Sequence, residues 1–169
     1  MIIVRKIFVV WVLGLLACNG GEENKSVSYS GNNRPINKIS LKDLNEQIID
    51  LGAYKGKTIF VNFWATWCKP CIAEMASIEK AQNILRKENV VFLMASSESA
   101  EEINAFQNAH NYQFKYTRIE NSEDLNIQAL PTTFIFNAEG KLVFSETGYR
   151  KWDEKNNIDM IIKIANKDD

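Results

Sequence analysis

Two cysteines separated by two residues, in Trp67-Cys68-Lys69-Pro70-Cys71, are the part of this sequence best equipped for chemistry. On the first turn of a helix that spacing stacks two sulfurs on one side, close enough to bridge. A helix N-terminus supplies partial positive charge and free N–H groups, which favour a thiolate over a thiol. Cys68, nearer the exposed end, is the expected attacking sulfur. Cys71, a turn deeper, is the expected resolving sulfur, which frees a partner from a mixed disulfide by attacking Cys68. Pro70 costs the helix nothing there, because a first-turn N–H has no intrahelical acceptor, and Lys69 adds a positive charge beside the nucleophile.

Two other uses of this spacing weigh less. Metal ribbons share it but need a second such pair or paired histidines, and the chain has three cysteines and one histidine, His110. A structural disulfide across so short a gap closes a tiny loop and constrains the unfolded chain very little. Redox exchange is the preferred reading.

The pair falls where a strand hands over to a helix. Thr58-Ile59-Phe60-Val61-Asn62-Phe63-Trp64 is nearly continuous in apolar and β-favouring residues, as suits a central strand covered on both faces. After Cys68 the apolar period becomes helical through Lys87, with Ile72, Met75, Ile78 and then Gln82 and Leu85 along one side. Val90 to Ala95 reads as a second buried strand, Glu101 to Ala109 as a helix, Tyr112 to Ile119 as a short strand and Ser122 to Ile127 as one or two helical turns. Thr132 to Phe136 and Lys141 to Ser145 flank Asn137-Ala138-Glu139-Gly140, a hairpin signal. Asn156 to Asn166 closes the chain as a helix. Upstream, Ile36 to Lys57 mixes apolar stretches with turns: Gln47 to Leu51 is a candidate strand and Lys55-Gly56-Lys57 a tight turn. The order predicts an α/β domain with one mixed sheet covered on both faces, and Phe60, Met75 and Phe134 in its core.

The third cysteine, Cys18, stands apart. Arg5 and Lys6 precede an apolar run from Ile7 to Ala17, too short to span a bilayer comfortably, and Leu15-Leu16-Ala17-Cys18 resembles the bacterial lipobox. That resemblance implies a signal peptide over residues 1–17, cleavage before Cys18 and acyl chains on Cys18 that anchor the protein to a membrane. Residues 18–35, rich in Gly, Asn, Ser, Glu and Lys, read as a flexible tether, and residues 36–169 as the domain. Twenty basic and twenty-one acidic residues leave a net charge of -1 in a chain of 169 residues, which argues against a nucleic-acid partner.

Asn62-Phe63-Trp64-Ala65-Thr66-Trp67-Cys68-Lys69-Pro70-Cys71 followed by Glu74-Met75, with Leu130-Pro131-Thr132-Thr133-Phe134 and Glu139-Gly140-Lys141, resembles the thioredoxin superfamily. More narrowly it is similar to the TlpA/ResA-like extracytoplasmic thiol-disulfide oxidoreductases. The resemblance runs from Ile36 to the C-terminus. It implies a thioredoxin fold: a mixed sheet with helices on both faces and an insertion between the second buried strand and a cis-proline. Pro131 would be that cis-proline against the disulfide, with the Leu130 backbone free to pair with an extended substrate segment, and Trp67 beside the disulfide. Asn62 stands where thioredoxin itself carries a buried Asp. Glu74 matches an acid of these relatives; buried beneath the cysteines it would relay a proton with Cys71. Two departures are Ala76, where the relatives carry a proline, and Ser96-Ser97-Glu98-Ser99, where they carry an Asp-bearing loop; neither falls on the redox pair.

The resemblance further implies a Cys68–Cys71 redox disulfide with no other cofactor and no metal. Partners would be exported proteins with thiols or disulfides and a membrane electron donor. The direction implied is reductive, as in cytochrome c maturation or a related pathway, on the periplasmic or surface side of the cell envelope. A peroxiredoxin-type thiol peroxidase expects Thr-x-x-Cys, but Thr66 lies only two residues before Cys68. A copper-delivery protein of the SCO type expects Cys-x-x-x-Cys and a distant histidine, while His110 lies in an Asn-rich turn that reads as exposed. Cys18→Ala is expected to move the protein from the membrane to the soluble fraction on cell fractionation; a variant still sedimenting with membranes would rule out lipid on Cys18 as the tether.

Overall fold

The computed structural model describes residues 36–166; the expectations placed on residues 1–17, on Cys18 and on the tether to residue 35 lie outside the described residues. Six strands run as β1 (Leu41–Lys42), β2 (Thr58–Phe63), β3 (Val90–Ser96), β4 (Tyr116–Ile119), β5 (Thr132–Phe136) and β6 (Leu142–Thr147). Among the described residues three α-helices are interleaved with these strands: α1 (Lys69–Ile84), α2 (Ala100–Ala109) and α3 (Lys155–Ala165). The sheet order is β1-β4-β3-β2-β5-β6. Pairing is parallel from β2 to β3 and β3 to β4, and antiparallel at β1–β4, β2–β5 and β5–β6.

β2 is buried along its whole length, which is why it reads as an uninterrupted apolar run. Its side chains alternate between two cores: Phe60 joins one, and Ile59, Val61 and Phe63 join the other. The two crossovers β2-α1-β3 and β3-α2-β4 step the same way across the sheet, and right-handed connection then lays both helices on one face. Met75 and Ile78 of α1, Ile103 and Phe106 of α2, and Ile158 and Ile161 of α3 accordingly share one cluster. The opposite face is covered by residues from short 3-10 turns and loops, among them Ile39, Leu51 and Leu125. Both faces are covered, as expected, but by different kinds of helix.

Several local expectations are corrected. Gln47 to Leu51 is not a strand: Ile48 makes an isolated bridge to Lys42, and Asp50 caps a 3-10 turn over Leu51–Tyr54 by accepting from the Gly52 N–H at 2.8 Å. The two-residue β1, which pairs Leu41 with Ile119, is too short to leave a periodic signal. α1 stops at Ile84 rather than Lys87, and Ala76 leaves it unbroken. Of Tyr112 to Ile119 only the last four residues join the sheet, since β4 pairs with β3 from Met94 onward; the Tyr112 and Phe114 rings stack on each other instead. Ser122 to Ile127 does hold one helical turn, as expected, a 3-10 turn over Glu123–Leu125 ended by left-handed Asn126 (φ 52°).

At the hairpin, Gly140 (φ +74°) lets Ile36 approach: the Ile36 N–H donates to the Gly140 carbonyl at 2.8 Å, and a Cβ there would meet Ile36 Cγ2 at 2.8 Å. Phe60, fully buried, packs 4.7 Å from both Phe92 and Trp152 and ties β2 and β3 to the segment before α3. Phe60→Ala is therefore expected to cost about 3–5 kcal/mol in denaturant unfolding, against about 0.5 kcal/mol or less for Val143→Thr on the exposed side of β6. Equal losses would refute this placing of the core.

Candidate active site

The redox pair sits at the carboxyl end of β2, where the chain direction across the sheet switches between β3 and β5, the customary crevice for function in open α/β sheets. Trp64 continues β2 by one more bond, its N–H donating to the Ala95 carbonyl at 3.0 Å. A turn then closes from the Cys68 N–H to the Ala65 carbonyl at 3.1 Å and delivers Cys68 as the N-cap of α1. Pro70 falls in the first turn of the helix, as its missing N–H allows. Cys68 and Cys71 are joined in a disulfide. Cys68 Sγ also accepts from the Cys71 N–H at 3.3 Å, so an orphan donor of the helix start points at the expected nucleophile. Cys68 is 4% exposed and Cys71 0%, so both are buried, the first less completely.

Glu74, one turn beyond Cys71 on the same helix, is fully buried. Its Oε1 accepts from Asn62 Nδ2 at 2.7 Å and its Oε2 from the Arg150 N–H at 3.0 Å. Asn62 Nδ2 also donates to Thr133 Oγ1 at 3.0 Å, which ties the acid to β2 and β5 together. Burial pushes the Glu74 carboxyl up from an ordinary 4.5 to about 7, partly offset by the hydrogen bonds it accepts from Arg150 and Asn62. The group therefore takes up or releases a proton near neutrality, three residues after Cys71 on the same helix.

Leu130-Pro131 is a cis peptide, as the resemblance implies. Pro131 precedes β5, and since Thr132 pairs with Phe63 the proline lies beside the end of β2 from which the chain leads to Cys68. The Pro131 carbonyl accepts from the Gly148 N–H at 2.8 Å; Gly148 takes a positive φ of 105° to turn the chain toward Arg150 and Glu74. Leu130 is half-buried against both cores. Trp67 is 71% exposed beside Cys68, while Trp64 is buried in the core. His110 is half-buried rather than exposed: its ring stacks on Phe106 at 3.9 Å and its Nδ1 lies 2.9 Å from the Phe106 carbonyl, because the aromatic cluster of α2 and β4 draws it in.

Sequence reasoning missed three participants. Arg150 reaches Glu74 with a backbone N–H, which no side-chain pattern signals. Thr133 joins through Asn62. Glu98 accepts from the Thr66 N–H at 2.7 Å and the Thr66 hydroxyl at 2.6 Å, so the loop after β3 does bear on the turn that carries Cys68. An acid just past the carboxyl end of a strand neighbouring the redox turn was the available signal.

A thioredoxin-type sheet with a disulfide capping the helix after its central strand defines a thiol-disulfide oxidoreductase. The chain is similar to the thiol-disulfide oxidoreductase ResA of Bacillus subtilis, 29% identical over 82% of this chain and 79% of the relative. It is likewise similar to ResA of Geobacillus thermodenitrificans, 32% identical over 72% of each. Its fold is similar to that of a thiol:disulfide interchange protein of the thioredoxin family from Chlorobium tepidum, with a TM-score of 0.62 at 23% identity over 79% of this chain and 94% of that one. Residues 30–162 match the Redoxin family model, and the chain belongs to that family, as a ResA-like member of the thioredoxin superfamily.

Unfolded, Glu74 ionises near 4.5; folded, near 7. Its contribution to stability is therefore full below the lower value and is lost as pH rises through the upper one. Relative to Glu74→Gln, the oxidised wild type is expected to lose about 2–3 kcal/mol between about pH 5 and about pH 8 in chemical denaturation. A stability difference that stays flat across that range would refute the raised acid.

Proposed function

We propose that this thiol-disulfide oxidoreductase reduces disulfides of exported protein partners, in cytochrome c maturation or a related reductive pathway of the cell envelope. The observation that carries the reading is the unequal setting of the pair: Cys68 at the helix N-cap with slight exposure, Cys71 with none. The Cys68 thiolate attacks one sulfur of the partner disulfide; that S–S bond breaks, one partner thiolate leaves, and a mixed disulfide forms. Cys71 then loses its proton to Glu74 and attacks Cys68, which releases the second partner thiolate and leaves the Cys68–Cys71 disulfide. Two electrons have passed to the partner, and a membrane electron donor restores the dithiol.

The partner's segment runs extended beside the Leu130 backbone, with Trp67 and Pro131 flanking the sulfurs. The exposure of the Trp67 ring beside Cys68 supports an aromatic contact there. Acyl chains on Cys18 hold the domain at the membrane through the tether of residues 18–35, on the periplasmic or surface side. No helix among the described residues is long and apolar enough to cross a membrane.

Cys71→Ser in the native host is expected to accumulate a covalent adduct with its partner through Cys68, cleared by added dithiol and absent from Cys68→Ser. Purified wild type should reduce a protein disulfide and Cys68→Ser should not. Adducts through another residue, or reduction by Cys68→Ser, would overturn the assignment.

A further inference from the structure

Trp64 and Ala65 pack in the same core as α1, but the hydrogen bonds described for the turn before its cap come from outside the helix. Cys68 accepts the Cys71 N–H only while its backbone keeps the extended cap conformation (φ -81°, ψ 92°), and that conformation is approached through Ala65, Thr66 and Trp67. Trp64 makes the last bond to the sheet and Cys68 closes the turn on Ala65. Between them, the Thr66 N–H and the Thr66 hydroxyl both go to the Glu98 carboxylate. Hydrogen bonds to an ionised acceptor are shorter and stronger than neutral ones, and two from one residue fix its orientation as well as its position.

Glu98 is itself held from two strands. Ser96, the last residue of β3, donates its hydroxyl to Glu98 Oε2 at 3.0 Å and accepts from the Glu98 N–H at 3.2 Å. Arg118 of β4 donates its Nε to the Glu98 carbonyl at 3.1 Å. Arg118 also pairs with Glu46 and, at 3.5 Å, with Glu120. The hydrogen bonds that hold Thr66 thus trace back, through Glu98, to β3 and β4.

We infer that Glu98 is a positioning residue for thiol-disulfide exchange: by holding Thr66 it keeps the Cys68 sulfur at the N-terminus of α1. The inference rests on Cys68 being the exchanging sulfur. Glu98 touches neither cysteine in the contacts described and acts through the turn. A pure charge effect has the opposite sign, since an anion near the turn opposes a thiolate and its removal would favour one.

The test is the alkylation rate of Cys68 in the reduced, full-length protein at fixed neutral pH, read by mass spectrometry of the Cys68 peptide, with thermal melts to confirm that each variant is folded. Glu98→Ala and Thr66→Val, the second with the carboxylate intact, should each slow Cys68 about three- to tenfold, and Thr66→Ser, which keeps the hydroxyl, should restore the rate lost in Thr66→Val. If Glu98→Ala does not fold, Glu98→Gln and the Thr66 pair carry the test with the same expectations. Unchanged rates in Glu98→Ala and Thr66→Val would overturn the inference. So would a faster Cys68 in Glu98→Ala, or a Thr66→Ser as slow as Thr66→Val. Alkylation needs no client protein, so a wild type that reduces no protein disulfide would count against the exchange reading and leave this measurement valid.

Discussion

The structure turns on the placing of one sulfur at the cap of one helix. A helix begins with N–H groups that have no partner in the preceding turn, and α1 aims one of them, from Cys71, at Cys68 Sγ. β2 brings the chain to the carboxyl end of a central strand, the turn from Ala65 to Cys68 leads it into α1, and Pro70 sits in the first turn without losing a useful donor. Cys71, three residues on, is the more deeply buried of the two.

A second constraint is the cost of a carboxyl group in a sealed core. Glu74 is tolerated there because Asn62 and the Arg150 backbone satisfy its oxygens, yet two donors do not replace water, so the acid binds its proton more tightly than a solvated one. The same contacts draw together β2, β5, α1 and the segment before α3. Ser77 strengthens the join: its hydroxyl donates to the Glu74 carbonyl and accepts from the Trp152 N–H at 3.1 Å. Chemistry and packing share these atoms, which explains why a polar network persists among aromatic rings.

The topology accounts for the division of the two faces. Two crossovers in one direction fill one face with α1 and α2, and α3 returns to the same side; the other face is left to short turns that have little periodic pattern. The long elements, β2 and β3 as continuous apolar runs and α1 and α3 by their length and apolar spacing, were therefore legible in the sequence. β1 and the 3-10 turns were not, because two or three residues carry no period and their conformation follows from what they cover.

The sequence by itself determined the redox pair, its setting between a buried strand and a helix, the order of the main elements and the family to which the chain belongs, since these rest on local spacing and on motifs contiguous in the chain. Tertiary structure alone decided which groups meet across long separations. Glu98 reaches Thr66 from 32 residues away, Asn62 reaches Thr133 from 71 and Arg150 reaches Glu74 from 76. The reason is physical: a backbone N–H or a single carboxylate looks the same in any sequence, and only the folded sheet determines what it faces and how much water it has lost.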